Sequence, residues 1–255
     1  MVLTDTHTHL YYETDPVKLK ELMLRCFQVN VSRLFLPNVD ISSIPLVLGL
    51  AASEPNNCFA MMGLHPCSVK EDFEEQLAII TEASKKNKIY AIGEIGIDLY
   101  WDKETLPFQE IAFREQIALA KQLDLPIVIH CRDAFDEVYN ILVSEKDKKL
   151  KGIFHCFNGT LLQAQQIIEL GFYLGIGGVV TYKNSGLDKL LSSIALEHIV
   201  LETDSPYLAP MPFRGKTNES SFIVYIAEKI SSIKQVSIEE VAAITTENSR
   251  KIFNV

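Results

Sequence analysis

The sequence predicts an α/β protein, a single TIM-type (β/α)8 barrel whose chemistry sits at the C-terminal ends of its strands. Short β-branched runs bounded by turn residues alternate with longer segments of helical apolar spacing, the pattern of a parallel sheet wound with helices. Eight such runs fall within 255 residues, the usual size of one barrel. Five of the eight finish at or near a histidine or a carboxylate.

The strand candidates are residues 2–7, 33–37, 58–64, 89–94, 126–130, 152–155, 172–176 and 199–203. Between them, Asp15-Pro16 reads as an N-cap followed by proline at the first helical position, and Leu106-Pro107 opens a second helix through Phe108, Ile111, Ala112, Ile117, Leu119 and Ala120. Thr217-Asn218 leads into a helix over residues 219–230, and Ser237 with Glu240 resembles a capping box for a last helix over 238–252. No low-complexity stretch or repeat beyond the strand-helix unit divides the chain, so residues 1–255 are expected to form one domain.

Bulk composition narrows the function. A formal charge of -9 and a pI near 5.2 exclude a broad basic face that coats nucleic acid, while leaving room for a local phosphate site. Cys26, Cys58, Cys67, Cys131 and Cys156 are odd in number and contain no C-x-x-C, which fits a reducing compartment better than a disulfide framework. The first ten residues lack a basic region followed by an apolar one, and no uncharged apolar run approaches the roughly 18 residues of a membrane span. A cytoplasmic monomer without membrane contact is expected.

The residues at the strand ends point to metal. His7 and His9, two apart at the end of the first strand, project to one side. Glu94, His130 and His155 end the fourth, fifth and sixth strands, and Asp204 follows the eighth. The intervals from His9 to Glu94 and from Glu94 to Asp204 both give about 28 residues per strand-helix unit, so these groups lie in phase. An open doubly wound sheet would hold the outer strands too far apart to share an ion, whereas barrel closure sets strand one beside strand eight. Taken singly, each histidine also reads as a core residue bonded to a neighbour. Together, four imidazoles and two carboxylates are too many for one tetrahedral zinc with an open position, but suit two divalent ions bridged by a carboxylate, for which Glu94 is the candidate. Imidazole beside carboxylate favours zinc, manganese or iron over a magnesium-only site, and Mg2+, Mn2+ and Zn2+ are the ions to test. Two such ions activate water, which implies hydrolysis.

The segments Asp5-Thr6-His7-Thr8-His9-Leu10, Gly63-Leu64-His65-Pro66, Ile92-Gly93-Glu94-Ile95-Gly96-Ile97-Asp98, His130-Cys131-Arg132-Asp133-Ala134, His155-Cys156-Phe157 and Leu201-Glu202-Thr203-Asp204-Ser205-Pro206-Tyr207-Leu208 resemble the TatD family of metal-dependent deoxyribonucleases, within the amidohydrolase-like metal barrels. The likeness runs nearly end to end. It implies that His7, His9, Glu94, His130, His155 and Asp204 are the metal ligands, the same six that the strand ends select. It also implies hydrolysis of DNA phosphodiesters, with 3′-to-5′ exonuclease action on single-stranded ends. After the eighth strand the family's Arg-Gly-Lys-x-Asn-Glu-Pro is matched by Arg214, Gly215, Lys216, Asn218 and Glu219, but Ser220 stands where proline is expected.

Within this frame Asp204 is the candidate general base and Glu202, two residues earlier on the same face, its rival; Glu202 also reads as a buried carboxylate paired with a basic residue. His65 is the candidate donor that holds the scissile phosphate or protonates a leaving oxygen, against a turn histidine that satisfies a backbone carbonyl. Arg132 and Lys216 are candidate substrate contacts, against a loop ion pair and a solvated charge respectively, and Arg214 shares the second pair of readings. Tyr100 and Trp101 suit base stacking or packing against a helix. Strand alternation turns Cys131 and Cys156 away from the site, His198 lies at the opposite end, and Gly175, Gly177 and Gly178 lack dinucleotide-binding spacing. Two other functions stay open: a two-metal hydrolase of a small amide, ester or phosphoester, and a non-catalytic binding protein with structural metals.

Overall fold

A computed structural model describes residues 1–255. Eight parallel strands, β1 (Leu3–Asp5), β2 (Val31–Pro37), β3 (Cys58–Met61), β4 (Ile92–Asp98), β5 (Ile127–Arg132), β6 (Gly152–Phe154), β7 (Tyr173–Ile176) and β8 (Ile199–Leu201), alternate with helices. The helices are α1 (Pro16–Gln28), α2 (Ile44–Ser53), α3 (Phe73–Lys86), α4 (Leu106–Leu123), α5 (Phe135–Ser144), α6 (Leu161–Glu169), α7 (Leu187–Ser192), α8 (Ile223–Lys234) and α9 (Ile238–Phe253). No helix is long and apolar enough to cross a membrane.

The strands run in two continuous sets, β1 to β3 and β4 to β8, joined at two seams. At the first, Met62 bridges Ile92 and the Gly93 N–H donates to the Met62 carbonyl at 2.9 Å. At the second, Thr8 bridges Ser205, and N–H donations from Thr6 to Leu201 (3.0 Å), Asp204 to His7 (2.9 Å) and His9 to Ser205 (2.7 Å) bind the β1 end to the β8 end. The sheet is therefore closed, and the open doubly wound alternative is excluded. Asp5, fully buried, clamps the second seam by accepting from the Thr203 N–H at 2.9 Å and the Thr203 hydroxyl at 2.5 Å. Burial pushes its carboxyl up to about 7, with the Thr203 hydrogen bonds opposing that rise.

Alternation along the strands sorts the two faces. Phe35, Phe59, Met61, Val128, Ile153 and Val200 come from strands all around the barrel yet share one buried cluster with Phe253, which only the barrel interior permits. The Phe253 ring stacks on Phe35 with centroids 3.8 Å apart, so the end of α9 floors the lumen. Two residues beyond Val128, Ile153 and Val200 stand His130, His155 and Glu202, so the period of two that fills the lumen with hydrocarbon also aims polar groups inward at the next layer.

Three sequence expectations change in detail. The fourth strand is not residues 89–94 but Ile92–Asp98, with Glu94 inside it. Gly96 beyond Glu94 is required by packing: a Cβ there, at φ +140°, would lie 2.0 Å from the His130 carbonyl oxygen. The helix expected over 219–230 begins later, a short 3-10 turn at Ser220–Phe222 preceding α8. Ser237 caps α9 by accepting from the Glu240 N–H at 3.1 Å, but the full reciprocal box occurs instead at Thr160 and Gln163, opening α6. Asp15 caps α1 and a proline opens α4, as the sequence indicates.

Because Phe253 fills the base of the lumen, Phe253→Ala is expected to lower unfolding stability by about 3–5 kcal/mol, the cost of a large cavity in a closed core. Denaturant titration measures it, and a loss below about 1 kcal/mol would show that the floor collapses to fill the gap.

Candidate metal centre

The Glu94 carboxylate is buried at the top of the lumen, and its two oxygens face different histidines. Oε2 lies 3.2 Å from His7 Nε2 and 3.9 Å from His9 Nε2. Oε1 lies 2.8 Å from His130 Nδ1, 3.4 Å from His65 Nε2 and 3.6 Å from His155 Nε2. Asp204 Oδ1 closes the opposite side, 3.5 Å from His9 Nε2, 3.8 Å from His7 Nε2 and 3.9 Å from His155 Nε2. All six residues picked out at the strand ends thus converge, from both sides of the β1–β8 seam. Asp204 reaches the group because it leaves the strand conformation with φ +55°, a left-handed turn that Asp tolerates better than most residues.

Ionisation follows this packing. Burial alone would raise Glu94, but the rings of His65, His155 and His7 around it hold it well below the usual carboxylate range. Asp204 is lowered as well, burial being outweighed by His9, whose Nε2 lies 3.5 Å away, and by the rings of His155 and His7. Burial opposes a charged His155, yet Glu202 and Glu94 beside it push it up to about 10.

The hydrogen-bond partners behind the rings assign their tautomers. Tyr11 gives its one proton to the Pro37 carbonyl at 2.7 Å, so its oxygen accepts from His9 Nδ1 at 2.7 Å. That leaves His9 Nε2 as a free lone pair facing Glu94 and Asp204, as a ligand requires. His65 is wired oppositely. Its Nδ1 accepts the Cys67 N–H at 3.1 Å, so Nε2 carries hydrogen and faces Glu94 as a donor. His65 therefore stands among the cluster without being set up to ligate, even though its atoms fall within the same His65, Glu94, His130 group.

The donor set fits a metal. His7 is wholly buried and neither ring nitrogen has a hydrogen-bond partner, an expensive arrangement that an ion at Nε2 relieves. Ligand atoms about 2.0–2.2 Å from a shared ion stand about 3–3.5 Å from each other, close to the separations around Glu94 and Asp204.

Comparison with known proteins places this arrangement. The sequence profile described as TatD related DNase matches residues 4–254. The chain belongs to the TatD family. It is 40% identical to a Bacillus subtilis (strain 168) protein described as an uncharacterized metal-dependent hydrolase, YabD, with 100% of both chains covered. The crystal structure of the Escherichia coli K12 TatD homologue YjjV superposes with a TM-score of 0.93 at 27% identity, covering 99% of this chain and 98% of that one. A TatD-family hydrolase from Entamoeba histolytica shares the fold with a TM-score of 0.87 at 22% identity, covering 99% and 98%. The chain is accordingly a metal-dependent hydrolase of TatD type.

Around the candidate ligands of this TatD protein stand carboxylates that strand ends alone did not assign. Asp98 Oδ2 lies 2.8 Å from His130 Nε2 on the side away from Glu94, and its other oxygen accepts the N–H groups of Tyr100 and Trp101. Burial would raise Asp98, but the His130 hydrogen bond and the Trp101 N–H bring it down to about 2. Its signal was position: four residues beyond Glu94, at the C-terminal end of the same strand. Glu202 lies at the layer of His155, 3.0 Å from its Nδ1, at ion-pair distance though poorly aligned for a hydrogen bond. That pairing matches the buried-carboxylate reading of Glu202. Gly175 makes space for it, since a Cβ there would meet Glu202 Oε2 at 2.3 Å.

Other residues fall further out. Arg132 ends β5, exposed, with its guanidinium 3.9 Å above the Tyr100 ring centroid. Lys216 lies 5.9 Å over the Phe213 ring and Arg214 4.4 Å over Tyr182, on the loop beyond β8 rather than among the clustered rings. His198 is remote, at the start of β8. Cys156 departs from expectation: β6 ends at Phe154 and φ at Cys156 is +47°, so alternation no longer applies and its thiol groups with His155 and Glu202. Burial, aided by Asp204, drives that thiol well above its ordinary range, leaving it no thiolate nucleophile. Ser220, the departure from the family pattern, donates its hydroxyl to Thr8 at 3.0 Å and so ties the β8 loop to the β1 seam.

If Asp98 orients His130 for a metal, Asp98→Ala is expected to weaken divalent-ion affinity about 10- to 100-fold, with Asp98→Asn less affected. Calorimetric titration with Mn2+ or Zn2+ decides this; unchanged affinity in the alanine variant would reduce Asp98 to shaping the following turn.

Proposed function

We propose that the chain, as one hydrolase domain over residues 1–255 acting as a cytoplasmic monomer, hydrolyses DNA phosphodiester bonds from the 3′ end of single strands. The observation that carries the reading is the division of the Glu94 carboxylate, one oxygen toward His7 and His9 and the other toward His130 and His155, beside a histidine wired as a donor. His7, His9, Glu94 and Asp204 would hold one divalent ion, and His130, His155 and Glu94 a second, drawn from Mg2+, Mn2+ or Zn2+. Such ions, when bound, supply a water acidified enough to attack phosphorus and charge to offset the developing negative oxygens.

The chain's own groups supply the rest. Asp204 stays ionised and only partly covered, free to accept the proton that the attacking water loses. Glu202, wholly buried behind His155, is left the task of orienting that ring. His65 presents Nε2–H where a phosphate oxygen or leaving 3′ oxygen can receive it. Its affinity for protons is raised, burial being outweighed by Glu94. Arg132 and Lys216 add cationic charge at the mouth of an otherwise acidic chain. Cavities of about 440 and 490 Å3 border the cluster at His155 and at His9. The family description as a DNase is consistent with that substrate.

Protein stripped with chelator and incubated with end-labelled single-stranded DNA is expected to shorten it from the 3′ end only after Mg2+, Mn2+ or Zn2+ is restored. Glu94→Ala should lose at least 100-fold in rate, an order-of-magnitude expectation for removing a shared metal carboxylate. Intact DNA in the presence of all three ions, with metal bound, would redirect the reading to a small amide, ester or phosphoester.

A further inference from the structure

Asp98 does more than back His130. Its second carboxylate oxygen accepts the Tyr100 and Trp101 N–H groups at 2.9 and 3.0 Å, which fixes the turn that follows β4 at the mouth of the barrel. The two aromatic rings meet edge to face with centroids 4.9 Å apart, and Trp101 is 68% exposed. Arg132, paired across from Asp98 in the sheet, lies 3.9 Å from the Tyr100 centroid and 5.6 Å from that of Trp101. Arg25, Arg114 and Arg250 form ion pairs; Arg132, like Arg33 and Arg214, forms none.

An exposed indole is costly in water, and a guanidinium without a carboxylate leaves its five N–H donors to solvent. In a chain of net charge -9, Arg214 is also an unpaired cation over a ring, but Arg132 alone among the arginines lies over two rings and beside the strand residue that backs His130. Rings and cation side by side match one ligand chemistry, a single-stranded nucleic acid, which offers a base face and a phosphate on each unit. The backbone N–H groups of Tyr100 and Trp101 are linked to His130 through the Asp98 carboxylate, which sets this turn beside the candidate metal cluster.

We infer that Tyr100, Trp101 and Arg132 form a stacking platform for a base of single-stranded DNA adjoining the scissile phosphate, with Arg132 donating to the neighbouring phosphate. The inference rests on the nuclease reading and gives its preference for single strands a physical cause: a base in the stack of a duplex cannot lie on Trp101.

Trp101 is the only tryptophan in the chain, so its emission reports the platform alone. The holoenzyme is mixed with a single-stranded oligonucleotide, intact or carrying an abasic unit at one of the last three positions. Intact DNA is expected to quench the emission, and an abasic unit at one position to abolish most of the quench and raise KM on the order of tenfold with kcat within about twofold. Trp101→Ala should show the raised KM with intact DNA and no further response to base removal, while Trp101→Phe, which keeps a ring, restores most of the difference. Circular-dichroism melting of both variants separates lost stacking from lost fold. Equal quench and equal KM for intact and abasic DNA at every position would overturn the platform while leaving the nuclease standing. Absence of cleavage of intact DNA overturns the nuclease itself, and the quench, read with or without cleavage, still judges the platform.

Discussion

A carboxylate buried at the top of a hydrocarbon-filled lumen is unstable unless surrounded by compensating charge, and Glu94 is placed in that position. Its two oxygens draw histidines from opposite directions, His7 and His9 across the β3–β4 gap and His130 and His155 along the larger sheet. The arrangement holds only while β1 is fastened to β8, because that seam delivers Asp204 to the same imidazoles that face Glu94. Asp5, Thr203, Thr8, Ser205 and Ser220 all serve that fastening through hydrogen bonds that do not involve the clustered side chains. The hydrolase chemistry of this TatD protein thus leans on a structural joint as much as on its ligands.

Histidine roles in the cluster are decided from behind. His9 and His65 belong to similar loops and face the same carboxylate, yet a phenol accepting at one Nδ1 and a backbone N–H donating at the other give them opposite proton inventories at Nε2. Distance alone groups both with metal donors; the outer partners distinguish a lone pair from a proton.

Most of the fold was legible because two periodicities are local. Alternation placed the strands and pointed His130 and His155 inward, and recurring helical segments counted the units. Convergence of the six strand-end residues followed from closure. What sequence did not disclose depends on through-space packing. Residues 89–94 read as a strand ending at Glu94, whereas the strand runs on to Asp98 because Gly96 lets the His130 backbone approach. Tyr11 and Asp5 sat in or beside a quoted motif, but their bonds to Pro37 and Thr203 span 26 and 198 residues. Lys216 carried a motif match but no spatial information, and it lies over Phe213.

The seam has a consequence for the order of folding events. Its contacts join residues 195 to 212 positions apart, so local helix and hairpin formation cannot assemble it, and the entropy of closing so long a loop must be met before any ligand from β1 meets Asp204. Most of the chain has to be folded before the full set of six exists. An ion shared by the β1 histidines and Asp204 therefore needs a nearly finished barrel, and chains arrested short of β8 hold an incomplete binding set.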